Sequence, residues 1–165
     1  MKTNLFLLFA LTATLFAQDS DWKEYSYTDD GFSVSAPARA VAKRDSEQAK
    51  DGTEIHNYYY NLTAESGFMA TVTDFHRQNL NGPAVLQRIK TNTINASKGK
   101  LISQKAVTLG NARGVQFEFS SKEYHARVRY FFSNGKLFGV MCLVPPKQPL
   151  LPDTNRFLNS LRLQQ

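Results

Sequence analysis

Asn134-Gly135 separates two runs rich in aromatic and β-branched residues, and Asn-Gly readily supplies the positive φ angles of a two-residue hairpin. A hairpin closed there places Phe132 opposite Leu137, Tyr130 opposite Gly139 and Val128 opposite Met141. Taking Ser121-Lys122 as the preceding turn places Phe119 opposite Tyr124, Phe117 opposite Ala126 and Val115 opposite Val128. Both turns put Tyr124, Ala126, Val128, Tyr130 and Phe132 on one face. That face is core, because side chains alternate along a strand and a slip of one residue would expose all five. The run 136–144 is apolar on both faces, with Leu137, Met141 and Leu143 on one and Phe138, Val140, Cys142 and Val144 on the other. Such a strand is central in its sheet and covered on both sides.

Turn signals recur along the rest of the chain. Asp29-Asp30-Gly31, Asp51-Gly52, Ser66-Gly67 and Gly110 to Gly114 each separate apolar runs, which predicts strands over 22–27, 32–36, 40–47, 53–62, 68–76, 100–109, 114–120 and 123–133. Two segments depart from this pattern. Gly82-Pro83 opens a helix to about Lys98, with Val85, Leu86, Ile89 and Ile94 on one stripe and Gly99 as its stop. Pro152-Asp153-Thr154 opens a shorter helix whose apolar face is Phe157, Leu158 and Leu161, after the stiff connection Pro145-Pro146-Lys147-Gln148-Pro149. The fold class is therefore α+β: an antiparallel β-sheet of about six to eight strands with helices packed on both faces.

The N-terminus reads as an address. Lys2 precedes a stretch from Leu5 to Phe16 broken only by Thr12 and Thr14, and Ala17 stands before the polar run Gln18-Asp19-Ser20-Asp21. That is the pattern of a signal peptide over 1–17. The apolar stretch is shorter than the roughly 20 residues a membrane span needs. Removal leaves one domain over 18–165, 148 residues with a net charge of +5, and no second segment of spanning length. The protein is expected to be exported, to the periplasm or the cell exterior. One cysteine excludes an internal disulfide framework. An aromatic content of 12% with 21% charged residues excludes a disordered chain.

Three segments together resemble the PsbP-like domains of exported bacterial envelope proteins. They are the opening Trp22-Lys23-Glu24-Tyr25 with Asp30-Gly31-Phe32-Ser33-Val34-Ser35-Ala36-Pro37, the turn Gly110-Asn111-Ala112-Arg113-Gly114, and the close Phe157-Leu158-Asn159-Ser160-Leu161-Arg162-Leu163. The resemblance spans 22–163. It implies an antiparallel sheet with helices on both sides, and a binding or scaffolding role such as that of the photosystem II extrinsic subunit, a Ran-binding protein or secretion-effector chaperones. These are packing and turn motifs, so no functional residue transfers with them, and fold analogy alone does not give function.

Motifs for catalysis and cofactors are missing. There is no Gly-x-Ser-x-Gly elbow, no His-Glu-x-x-His and no phosphate-cradling glycine loop. No cofactor, metal site or catalytic set is expected. Cys142 reads as a small buried hydrophobe. His56 and His76 fall on neighbouring strands. If Thr63 pairs with Phe68, His56 faces Phe75 and Asp74 faces Asn57. With a loop one residue longer the two histidines face each other.

Charge carries more information. From Gln18 to Asp74 there are 11 acids and 5 bases, net −6, and from Phe75 to Gln165 there are 3 acids and 14 bases, net +11. Such a distribution either solvates a soluble surface or marks an anionic partner: a phospholipid surface, an acidic polymer or an acidic protein. Nucleic acid is not expected, for want of a nucleic-acid motif. One basic group is ordered. His125, Arg127 and Arg129 alternate with core residues and so share an outer face, with Glu118 opposite His125, Gln116 opposite Arg127, and Arg127 also opposite Cys142. Arginines in such a row receive a carboxylate or phosphate, or else form a structural ladder with Glu118 whose stems cover Val140 and Cys142. Tyr59, within Tyr58-Tyr59-Tyr60, points away from its two neighbours and adds a candidate aromatic contact. The expected function is a non-enzymatic binding or accessory module of the bacterial cell envelope, its partner an unknown protein or anionic envelope component. A carrier of a lipophilic or anionic small ligand and a small hydrolase are the alternatives.

Overall fold

The computed structural model describes residues 21–77 and 79–164, so the signal peptide expected over 1–17 lies outside the described residues. Among those residues no helix is long and apolar enough to cross a membrane. In chain order the elements are β1 (Trp22–Tyr27), β2 (Phe32–Pro37), β3 (Val41–Gln48), β4 (Glu54–Asn61), β5 (Gly67–Asp74), α1 (Gly82–Ala96), β6 (Lys100–Leu109), β7 (Ala112–Ser120), β8 (His125–Ser133), β9 (Lys136–Val144), α2 (Thr154–Ser160) and β10 (Arg162–Leu163). A seven-stranded antiparallel sheet runs β3-β4-β5-β9-β8-β7-β6, and a separate sheet runs β1-β2-β10.

The large sheet is two meanders joined at β9, whose six consecutive buried residues, Leu137 to Cys142, make it the centre strand. At the β8–β9 hairpin Asn134 and Gly135 have φ of 49° and 76°, the paired left-handed angles expected of Asn-Gly. The register follows as read from the sequence, with Phe132 opposite Leu137, Tyr130 opposite Gly139 and Val128 opposite Met141. Gly139 is required there. A Cβ on it would lie 2.5 Å from the Tyr130 ring and 2.7 Å from the Thr71 methyl, so the ring packs where a side chain would stand.

Two registers differ from expectation. The β7–β8 connection is a four-residue turn, 121–124. Ser121 N donates to Tyr124 O at 2.8 Å and Ser121 Oγ accepts from the amides of Glu123 and Tyr124. Phe119 therefore faces Ala126, Phe117 faces Val128 and Val115 faces Tyr130, two places from the expected partners. A shift of two keeps every side chain on its face, so the core assignment of Ala126, Val128 and Tyr130 stands. The β4–β5 loop spans five residues, 62–66, closed by Thr63 and Ser66, so His56 faces Val72 and Asp74 faces Glu54.

The faces of the large sheet are covered differently. On one, α1 packs across β7 and β8, with Val85 and Leu86 among Phe117, Val128, Tyr130 and Leu137. Asn81 caps it, its side chain accepting from Ala84 N, and Pro83 lies in its first turn. The expectation of a sheet sandwiched by helices on both faces is corrected on the other side. There the lid is chiefly the β1-β2-β10 sheet, whose Phe32, Val34 and Ala36 meet Tyr58, Tyr60, Phe68 and Val140, and the seven-residue α2 fills the remaining space with Phe157 and Leu158. The physical reason is that β2 pairs only with β1 and β10 and not with the large sheet, so Phe32, Val34 and Ala36 are buried by lying across its face.

Candidate functional site

The basic row lies on the sheet face that carries α2. Parity along β8 sends His125, Arg127 and Arg129 to that side while Ala126, Val128 and Tyr130 enter the α1 core. The four-residue turn changes their partners. Ser120 stands opposite His125, Glu118 opposite Arg127 and Gln116 opposite Arg129. Glu118 Oε2 accepts from Arg127 Nη2 at 2.7 Å and from its Nε at 2.9 Å, while Glu118 Oε1 lies 2.9 Å from His125 Nε2. The other ring nitrogen of His125 is 2.9 Å from the carbonyl of Gln148. Both contacts together need both ring N–H groups.

The arginines reach beyond the sheet. Arg127 Nη1 donates to Asn155 of α2 at 3.2 Å. Arg129 donates to Gln116 at 2.6 Å, to Asn159 at 2.7 Å and to the Leu158 carbonyl at 3.2 Å. The row therefore ties α2 and the 145–149 connection to β7 and β8. Burial pushes the Glu118 carboxyl up, but the bonds from Arg127 and His125 outweigh it and hold it below the usual carboxylate range. Burial and the neighbouring Arg127 lower Arg129. Beneath the row Cys142 is buried opposite Arg127, and burial raises its thiol above its ordinary value.

Tyr59 is not part of this cluster. It pairs with Met69, which pairs with Met141, so it stands on the α1 face of the sheet. There it lines a separate groove of about 440 Å³ with Glu65, Glu123, Tyr124 and Pro146. Its phenol is raised by burial and then by Asp45 and Glu47. His56 and His76 are also apart. His76 lies past the end of β5 beside Asp74 and Glu54, each 3.6 Å away.

One polar cluster has no forewarning in the sequence. Asp30, in the β1–β2 turn, is buried against β4. Its Oδ1 lies 2.7 Å from His56 Nδ1, its Oδ2 accepts from the Tyr58 hydroxyl, and Arg44 stands at 3.9 Å. The Tyr58 hydroxyl is raised by burial and by the Asp30 carboxylate. No spacing rule links residue 30 to 56 and 58, because the contact joins two sheets.

A sheet of two joined meanders carries α1 on one face and a short three-stranded sheet with α2 on the other. The solution structure of cyanobacterial PsbP (CyanoP) from Synechocystis sp. PCC 6803 is similar to it, with a TM-score of 0.60 at 14% identity, covering 93% of this chain and 98% of that one. That likeness shows the fold. No protein-family model matches the chain, and no curated protein matches it in sequence.

Proposed function

We propose that this protein is an exported, non-enzymatic binding or accessory module of the bacterial cell envelope that docks on an anionic component of that envelope. The observation that carries this reading is the division of charge across one sheet. The acidic first half of the chain supplies β3, β4 and β5, and the basic second half supplies β6 to β9 and both helices. Residues 41–74, which hold β3 to β5, carry six acids and three bases, against three acids and 14 bases over 75–165, so the sequence asymmetry becomes a spatial one. Glu118, one of the three acids in the basic half, is already engaged by Arg127 and His125. Among the described residues Arg88, Lys98, Lys100, Lys105, Arg113 and Lys122 form no ion pair. A surface of one sign steers and orients an oppositely charged partner. In this reading the His125, Arg127, Arg129 and Glu118 row lies within the docking half, and Tyr59, on β4, lies outside it.

Cosedimentation with phosphatidylglycerol vesicles and with neutral phosphatidylcholine vesicles tests it. Binding to the anionic vesicles alone, weakened by salt and by Lys100→Glu with Lys105→Glu, is the expected result. Equal binding to both vesicle types, or indifference to salt, overturns the reading.

A further inference from the structure

α1 carries a cation in the stripe where its period calls for an apolar residue. Val85, Leu86 and Ile89 pack on the sheet, and Lys90 follows Leu86 by four residues, so it returns to the same face. Lys90 is only 8% exposed. Its Nζ donates to Gln104 Oε1 on β6 at 2.6 Å. That bond uses one of the three ammonium hydrogens and brings no negative charge. Among the described residues no carboxylate is within ion-pair distance of it. A lysine is seldom buried unless paired, because removing an ammonium from water is costly.

Beside Lys90, α1 and the edge strand β6 leave a groove of about 490 Å³. Leu86, Ala106 and Val115 line it, Arg113 joins Lys90 there, and no acidic residue does, while Lys105, though it borders the groove, pairs with Gln116 of the opposite face. Two cations flanking an apolar surface match an anion that carries an apolar body. The volume lies within the range of small-molecule sites, roughly 300–1,000 Å³.

We propose that this groove binds a small amphipathic anion, a carboxylate or phosphate monoester on an alkyl or aryl body. The anionic group sits at Lys90 beside Gln104, and the body lies along Leu86, Ala106 and Val115 toward Arg113 at the far end of the groove. Binding supplies the charge that Lys90 lacks within the chain, and Arg113 adds a second positive charge to the field of the groove. This goes beyond the docking reading and is separable from it: a protein that ignores phosphatidylglycerol vesicles still gives a defined answer with soluble ligands.

Calorimetric titration of the purified protein with octyl phosphate, octanoate, octanol and inorganic phosphate is the test. Expected is saturable one-to-one binding of the octyl anions, weakened about tenfold or more by Lys90→Gln, weakened less by Arg113→Gln and unchanged by Lys122→Gln. Stronger binding of octyl phosphate than of octanoate assigns a phosphate headgroup and the reverse a carboxylate; either supports the site. Octanol binding as tightly as the anions overturns the ionic half, and inorganic phosphate binding as tightly as octyl phosphate overturns the apolar half. Unaltered affinity in both cation variants overturns the site. Should Lys90→Gln fail to fold, Arg113→Gln at an exposed position carries the test alone. A rise in the parent's melting temperature with octyl anion, smaller in Arg113→Gln, is the matching readout.

Discussion

Glu118 Oε2 takes both the Nη2 and the Nε hydrogens of Arg127, so one carboxylate oxygen anchors a guanidinium lying between two strands and α2. The carboxyl is held below its usual range by that bond and by His125, against the pull of burial. The unfolded chain therefore takes up a proton at Glu118 before the folded one does as pH falls. The stabilisation is complete above the ordinary carboxylate range and is lost as pH drops through the depressed value. Urea unfolding at stepped pH should show stability falling toward acid. Glu118→Gln should be less stable than the parent at neutral pH and change less on acidification. Parallel pH profiles for parent and variant would refute the assignment.

Arg129 reports on α2. It bonds Gln116 of β7, the Asn159 side chain and the Leu158 carbonyl, so its loss frees the helix from the sheet without touching the α1 core. Arg129→Gln should cost about 1–3 kcal/mol, the range for charge-assisted bonds. Amide exchange should quicken over Thr154–Ser160 while β8 and β9 keep their protection. Unchanged exchange in α2 would show that Phe157, Leu158 and the Arg127–Asn155 bond hold it without Arg129.

The fold is legible in the sequence where one local signal settles the geometry and not where distant segments meet. Asn134-Gly135 fixes the β8–β9 register because both its residues adopt the angles that its composition favours. Ser121-Lys122 reads as a similar turn, but the Ser121 hydroxyl binds two following amides and holds a four-residue loop, so Glu118 slides from His125 to Arg127. The parity of the strands survives, which is why the faces are legible and the partners are not. β10 has no local mark, since its pairing with β2 joins residues 162–163 to 32–33 across nearly the whole chain. Of the candidate contacts, His125, Arg127, Arg129 and Glu118 gather as alternation requires, while Tyr59 goes to the opposite face. Lys90 was open to detection, because a cation four residues after Leu86 interrupts the helical stripe. Its neutral partner and the groove beside it depend on β6, which the helix pattern does not contain.

Val128 tests the core assignment. It is fully buried among the residues beneath α1 and faces Phe117 and Met141 on the two neighbouring strands. Val128→Asp places a charge there with no partner and should cost several kcal/mol, a large share of a domain's stability. Circular dichroism should show an unfolded or strongly destabilised variant. A parent-like melting curve would mean that Val128 lies on the outer face.

Asp30 tests how the two sheets are joined. The β1–β2 turn brings its carboxylate into the gap over β4, where His56 and Tyr58 meet it on different oxygens. Removing the carboxylate leaves the buried Tyr58 hydroxyl without an acceptor and takes the partner of the half-buried His56, so Asp30→Ala should destabilise by about 2–3 kcal/mol. Tyr58→Phe deletes a single partner and keeps the ring that packs on Tyr27 and Phe32, so its cost should be nearer 1 kcal/mol. If the bond is the link between sheets, the two changes are coupled: once Asp30 is gone the hydroxyl has no acceptor, and Tyr58→Phe should cost little or stabilise. A double-mutant cycle by urea unfolding measures this. Strict additivity of the two substitutions would show that Asp30 acts on the β1–β2 turn alone and that apolar contacts from Phe32 and Val34 hold the lid sheet in place.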